Sequence, residues 1–134
     1  FLQKLDCGAN FALTQLLFSN HIIKFLSSLH GIAIKPEIIL SFGYVPKMED
    51  PKGLIRWLIQ DTTTQAQTEM GLVLKLANLP FKEKKKELKR IYESVVTGVE
   101  GLGFPLGVHF ECPYGVSEPA LETFREMLEI WTPH

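Results

Sequence analysis

The chain has 134 residues, 46% of them hydrophobic and 22% charged, and its formal net charge is −1. This composition is typical of a folded globular domain and argues against a disordered, collagen-like or coiled-coil chain. The length predicts one domain over residues 1–134. It is too short for a complete (β/α)8 barrel, which needs about 200 residues or more.

The charge balance gives no electrostatic reason to expect nucleic acid or an anionic membrane surface as a partner. The two cysteines, Cys7 and Cys112, lie far apart and have no metal-ligand spacing, which favours a reducing, cytoplasmic compartment over a disulfide scaffold. No apolar run approaches the ~20 residues of a membrane span, and no signal peptide is visible. The chain opens at Phe1 instead of Met, so we expect this numbering to start inside a longer product.

The first half of the chain predicts two strands and two helices. The first eight residues read as the end of a helix, with Gly8 after its last turn. A short buried strand is predicted over residues 10–15. Ser19 is predicted to cap the next helix, which ends near Gly31. A second strand is predicted over residues 37–42.

The second half is mostly helical. Asp50 and Pro51 predict a helix start, because aspartate favours the N-cap and proline the first helical position. Residues 60–67 are polar and read as a loop, and helices are predicted over 68–79 and 81–96. The second of these helices carries a basic cluster, interpreted as its solvated face: Lys82, Lys84, Lys85, Lys86, Lys89 and Arg90.

A third strand is predicted over residues 108–112, and Ser117 is predicted to cap a last helix. Strands that alternate with helices predict an α/β fold, in which right-handed crossovers connect parallel strands. Three parallel strands alone leave two open edges and half-covered faces, so we expect them to be part of a larger sheet.

One segment resembles a known family. Residues 4–18, KLDCGANFALTQLLF, are similar to the pattern K-x-D-A-G-A-x-x-x-x-T-Q-x-x-F of methylenetetrahydrofolate reductases. Shorter motifs continue the resemblance in order over most of the chain: Gly31-Ile32, Val45-Pro46, Gly98-Val99 and His109-Phe110. The first motif is fairly specific, whereas the others alone would be weak.

The resemblance implies the C-terminal portion of a (β/α)8 TIM barrel, about its last three strands. The remainder of the barrel would belong to the same chain or to another one, and a homo-oligomer is left open. The family transfers a hydride from NAD(P)H through FAD to 5,10-methylenetetrahydrofolate and produces 5-methyltetrahydrofolate, in one-carbon metabolism and methionine biosynthesis. The cofactor carries the hydride chemistry, while the protein binds and orients.

By the same resemblance, three residues are assigned to sites. Lys4 falls where a family lysine contacts the FAD phosphate region, and Gln15 falls where a glutamine hydrogen-bonds the pterin of the folate substrate. Trp57 lies near an aromatic residue that packs against folate or nicotinamide. Each has a structural alternative: a solvated lysine, a polar strand end and a core tryptophan. No metal ligand is assigned.

The sequence also departs from the family. The family's H-F-Y-T-L-N-R corresponds to residues 109–115, HFECPYG, so an arginine that would meet the folate is missing. The acidic residue that activates the substrate belongs to the family's first strand, and no catalytic residue is assigned here. His109 and Glu111 are predicted to share one face of their strand, where packing or solvation is favoured over acid–base work.

These departures keep two alternatives open. One is a non-catalytic barrel module that has lost activity and serves assembly or regulation. The other is a reductase of this fold that works without flavin.

Overall fold

The computed structural model describes residues 1–29, 31–47, 53 and 64–134, with the backbone alone at 64–66. Eight elements are defined within these ranges. In chain order they are α1 Leu2–Asp6, β1 Phe11–Leu16, α2 His21–Ser27, β2 Glu37–Gly43, α3 Thr64–Asn78, α4 Phe81–Glu100, β3 Leu106–Glu111 and α5 Glu118–Ile130. The predicted helix start at Asp50 lies outside the described residues.

The described strands form one sheet in the order β1-β2-β3, and both pairs are parallel. This confirms the predicted α/β class with parallel strands. The β2–β3 register is continuous, whereas Leu13 pairs with Ile39 and Leu16 pairs with Ser41 in the β1–β2 ladder. Between these two pairs the chain advances three residues on β1 and two on β2, and this extra residue is a β-bulge.

The bulge changes which face the end of β1 presents. Paired residues in a parallel ladder share a face, and alternate residues of β2 share one too. Leu13 and Leu16 therefore lie on the same face although an odd number of steps separates them. The Ser41 backbone N–H donates a hydrogen bond to Thr14 Oγ1 at 2.9 Å inside the bulge. The extra residue therefore changes the direction in which the chain leaves β1 toward α2.

Two helix ends follow the predicted local chemistry and one does not. Gly8 has φ +97°, the left-handed conformation that favours glycine after a helix. Ser117 Oγ accepts the Ala120 N–H at the start of α5. The predicted cap at Ser19 is wrong, since α2 begins at His21 after Asn20 and has no side-chain cap.

The core lies between one face of the sheet and helices α2, α3, α4 and α5. The central strand supplies Ile38, Leu40 and Phe42, each at most 2% exposed. Phe42 contacts Tyr92 of α4 edge to face, with ring centroids 4.8 Å apart. Phe110 of β3 stacks on Phe124 of α5 at 4.5 Å. These aromatic contacts fix both long helices against the sheet.

Tyr92 predicts an alkaline limit to stability. Its side chain is fully buried, its hydroxyl donates to the Trp131 carbonyl at 2.7 Å, and burial raises its pKa to about 12. The unfolded tyrosine, with its usual pKa of 10.0, loses its proton first, so stability falls between about pH 10 and 12. Over this pH range the free energy of unfolding of the Tyr92→Phe variant is expected to fall by about 2–3 kcal/mol less than that of the natural protein, because phenylalanine has no proton to lose. The measurement is denaturant unfolding at each pH. Equal slopes in both proteins would contradict this.

Two further predictions about the helices are corrected. α3 begins at Thr64, so the helix starts four residues before the predicted position and the predicted loop over 60–67 is wrong at 64–67. The basic cluster is not entirely a solvated face. Lys84 is 3% exposed, and Lys85 and Lys89 form ion pairs with Glu126 of α5 at 2.6 and 2.7 Å. The cluster therefore joins two helices.

The opposite face of the sheet, called the open face, is exposed at Phe11 and Leu13 but covered at Ser41 within the described residues. Phe11 and Leu13 on β1 are 57% and 54% exposed. His109 on β3 lies on this same face, because it pairs with Ser41 while Leu13 pairs with Ile39. Large exposed apolar side chains on a parallel sheet normally have a covering layer, since such sheets are buried on both faces.

Candidate functional site

Polar side chains gather at the carboxyl edge of the sheet. β1 ends at Leu16, β2 at Gly43 and β3 at Glu111, and the pairings Leu16–Ser41 and Ser41–His109 bring these ends level. With neighbouring strands about 5 Å apart, the backbones of β1 and β3 are about 10 Å apart here. Ligands of open α/β sheets bind outside the carboxyl ends of the strands, so this edge is the candidate site.

Gln15 lies at this edge and lines a groove of about 590 Å³. Its side chain is exposed. The other walls of the groove come from the β1–α2 connection, α2 and α3, and are formed by Leu16, Leu17, Phe18, Ser19, His21, Ile22, Lys24, Phe25, Ser28, Glu69 and Val73. A groove of this size with an apolar wall and a few polar groups is typical of small-molecule sites.

Three polar side chains meet in the wall of this groove. Ser19 Oγ donates a short hydrogen bond to Glu69 Oε1, and His21 Nε2 lies 3.6 Å from the same oxygen. The His21 backbone N–H also approaches Ser19 Oγ, at 3.4 Å. Sequence reasoning missed this cluster because Glu69 comes from α3, fifty residues after Ser19. Nothing in the local pattern of Ser19 indicates this partner.

A second polar cluster lies on the open face of the sheet. His109 Nδ1 is 3.3 Å from Glu111 Oε1 and 3.4 Å from Ser41 Oγ. The prediction that His109 and Glu111 share a face is confirmed. The carboxylate accepts a hydrogen bond from the imidazole when the proton lies on Nδ1, and in that tautomer Nε2 is an acceptor. The arrangement can accept a hydrogen bond from a ligand, and Ser41 is too deeply buried to act on one.

The other predicted site residues lie elsewhere. Lys4 is exposed in the last turn of α1, and no ion pair involves it within the described part of the chain. A cation in the last turn also interacts favourably with the negative end of the helix dipole, which is a structural reason for a lysine there. Trp57 lies outside the described residues.

The turn after β3 explains one departure from the family pattern. The Gly115 N–H donates to the Cys112 carbonyl at 2.9 Å, and Gly115 has φ +94°. An arginine at this position would have to adopt a conformation that side chains with a Cβ rarely take. The local backbone therefore suits glycine at position 115, where the resemblance predicts an arginine.

Other kinds of site are not supported by the residues described. No group of three histidine, cysteine or acidic side chains that could hold a metal ion occurs among them. Cys112 is half-buried, and burial raises the pKa of its thiol, which disfavours the nucleophilic thiolate. Within the same part of the chain, no helix is long and apolar enough to cross a bilayer.

The chain is an α/β protein with parallel strands and a ligand-sized groove at their carboxyl ends, which is the usual place of a small-molecule site in this class. A protein-family model described as mycobacterial methylenetetrahydrofolate reductase matches residues 1–134, the whole chain. The chain therefore belongs to the methylenetetrahydrofolate reductase family, and the resemblance predicted from residues 4–18 is confirmed. This membership supports an oxidoreductase function of the methylenetetrahydrofolate reductase type. Among curated proteins, none matches the chain.

Proposed function

We propose that the complete gene product transfers a hydride from NADH or NADPH to 5,10-methylenetetrahydrofolate and releases 5-methyltetrahydrofolate. The observation that carries the proposal is the family match over residues 1–134 together with the position of Gln15, in a groove at the carboxyl edge of the sheet. The same proposal includes a cytoplasmic role in one-carbon metabolism that supplies the methyl group for methionine biosynthesis.

The part of Gln15 is to bind and orient the pterin. Its amide offers a donor and an acceptor on one plane, which matches the mixed edge of a pterin ring. The exposed ring of Phe25 stands in the wall of the same groove and supplies a flat apolar surface for a heteroaromatic ligand. Trp57 remains a proposed packing partner for folate or nicotinamide.

FAD is the proposed carrier of the hydride, and Lys4 is the residue of this chain that would contact its phosphates. Lys4 fits this role because its ammonium is exposed and makes no ion pair with any described residue. When bound, the flavin would accept the hydride from the nicotinamide and pass it on. Any further contacts to the FAD phosphates would come from other parts of the barrel.

The sheet is proposed to be the C-terminal portion of a (β/α)8 barrel. The exposed face that carries Phe11 and Leu13 would then face the barrel interior, where layers of side chains from the other strands cover it. His109 would lie at the rim of that interior. The remaining strands come from the same or another chain, and a homo-oligomer is one arrangement that would supply them.

The reaction can be tested on the complete gene product. The purified protein is expected to oxidise NADH or NADPH only when 5,10-methylenetetrahydrofolate is present, and to show the visible absorbance of bound flavin. The Gln15→Ala variant is expected to raise the KM for the folate about tenfold, the effect of losing one or two ligand hydrogen bonds. Gln67→Ala, an exposed glutamine on α3 outside the groove, is the matched control.

The outcomes separate the alternatives. Turnover without flavin would replace the FAD step by direct hydride transfer from the nicotinamide. Absence of folate-dependent turnover with either nicotinamide would contradict the reductase and favour the non-catalytic barrel module. The tight turn at Gly115, which occupies the place of the family's arginine, is the observation that keeps this module as the second candidate.

A further inference from the structure

The cluster of Ser19, His21 and Glu69 is not used by the proposed function described so far. It stands in the wall of the groove that Gln15 lines, and its carboxylate comes from α3, which the chain enters after β2. Glu69 therefore reaches the groove from a different element than Gln15 does. Two polar groups that converge on one groove from separate elements are the usual basis of specificity in a ligand site.

Among the described residues, the partners of Glu69 contact one of its two carboxylate oxygens. Both contacts fall on Oε1, from Ser19 Oγ and His21 Nε2, and within the described residues nothing contacts Oε2. The Glu69 side chain is 20% exposed. Holding a largely covered carboxylate with a hydroxyl and an imidazole, and with no described lysine or arginine in contact, costs free energy of desolvation. The Ser19 hydrogen bond fixes its orientation.

A free carboxylate oxygen in a groove accepts hydrogen bonds and rejects other acceptors. A pterin presents adjacent donors of this kind, the 2-amino group and the neighbouring ring N–H, on one edge. Charge-assisted hydrogen bonds from such donors to a carboxylate are stronger than those between neutral groups. The Gln15 amide alone would distinguish this donor edge only weakly from an edge of acceptors, because an amide can both donate and accept hydrogen bonds.

We infer that Glu69, held by Ser19 and His21, is a specificity-determining residue that accepts hydrogen bonds from the aminopyrimidinone edge of the pterin bound beside Gln15. This inference rests on the proposed function, since the folate is the ligand placed in the groove there. It assigns to Glu69 the recognition of the 2-amino group, whereas Gln15 orients the ring.

The test compares two ligands on the complete gene product: folic acid and its 2-desamino analogue, titrated by calorimetry. The unaltered protein is expected to bind folic acid at least about tenfold more tightly, because the analogue lacks the amino donor to the carboxylate and keeps only the ring N–H. Glu69→Gln is expected to weaken folic acid binding about tenfold and the analogue much less, so that the ratio of affinities falls toward one. Glu93→Gln, an exposed carboxylate on α4 outside the groove, is expected to keep the ratio.

A merely structural role for Glu69 would weaken both ligands equally and keep the ratio, which would overturn the inference. Equal affinities in the unaltered protein would overturn it as well, and this arm needs no variant to fold. Folic acid that does not bind at all has the same consequence. Reductase turnover of the same preparation is scored separately: discrimination without turnover supports the subsite and contradicts the reductase, and turnover without discrimination does the reverse.

Discussion

The Phe124→Ala variant is expected to lower the free energy of unfolding by about 3–5 kcal/mol, the range for truncating a buried phenylalanine. Phe124 is 7% exposed on α5, and its ring stacks on Phe110 at 4.5 Å with an interplanar angle of 16°. Phe110 belongs to the edge strand β3 and also lies 6.4 Å from Phe42 of the central strand. Removing the Phe124 ring leaves a cavity between the last helix and the sheet.

The measurement is equilibrium unfolding of the complete gene product in denaturant, followed by circular dichroism. Leu128→Ala is the matched control, because Leu128 is on the same helix and is 37% exposed. It is expected to cost about 1 kcal/mol or less, since exposed positions lose little buried area. A loss below about 1 kcal/mol for Phe124→Ala would contradict the packing described for α5 and β3.

Much of the fold could be predicted because its signals are local. The apolar run around Ile39 predicts a strand over residues 37–42, and the strand is observed as Glu37–Gly43. Ser117 caps α5 through a contact only three residues away. Hydrophobic period and cap chemistry both act within a few residues, so a single sequence is enough to read them. The parallel order of the strands followed from their alternation with helices.

The misplaced features depend on contacts that a local pattern does not contain. The Ser19 hydroxyl donates to Glu69 of α3, a partner fifty residues away, and α2 begins at His21 with Asn20 as its N-cap instead of Ser19. The bulge between Leu13 and Leu16 appears only when β1 is paired with β2. The groove needs both events, because its walls come from β1, α2 and α3. The motif around Gln15 therefore predicted one residue of the candidate site but not the polar wall beside it.

The position of Lys84 along its helix already indicates that its side chain is buried. It falls in phase with the buried residues of α4, at the spacing that places Leu88, Ile91 and Val95 on one face. The neighbouring lysines made the segment look like a solvated face. Periodicity is the better guide here, because a long lysine can bury its stem and still satisfy its ammonium.

Lys84→Met is expected to lower the free energy of unfolding by about 2 kcal/mol. The variant leaves two buried carbonyls without their donor, and this loss exceeds the gain from no longer burying a cation. The Lys84 ammonium donates to the Val45 carbonyl at 2.8 Å and to the Ala77 carbonyl at 3.3 Å, and it lies 5.4 Å from the Tyr44 ring centre. It thus ties the segment after β2 to the end of α3. Lys82→Met, exposed on the same helix, is the matched control.

Two further readouts distinguish this tie from ordinary packing. Burial lowers the pKa of Lys84 from 10.5, so the unfolded chain binds its proton more tightly and the Lys84 contribution to stability rises with pH between the lowered pKa and 10.5. The stability difference between the natural protein and Lys84→Met is therefore expected to grow over that window. Because α3 carries Glu69, a loosened α3 also displaces the groove wall, and weaker folic acid binding should accompany the loss of stability. A pH-independent difference with unchanged binding would contradict a buried ammonium that links the segment after β2 to α3.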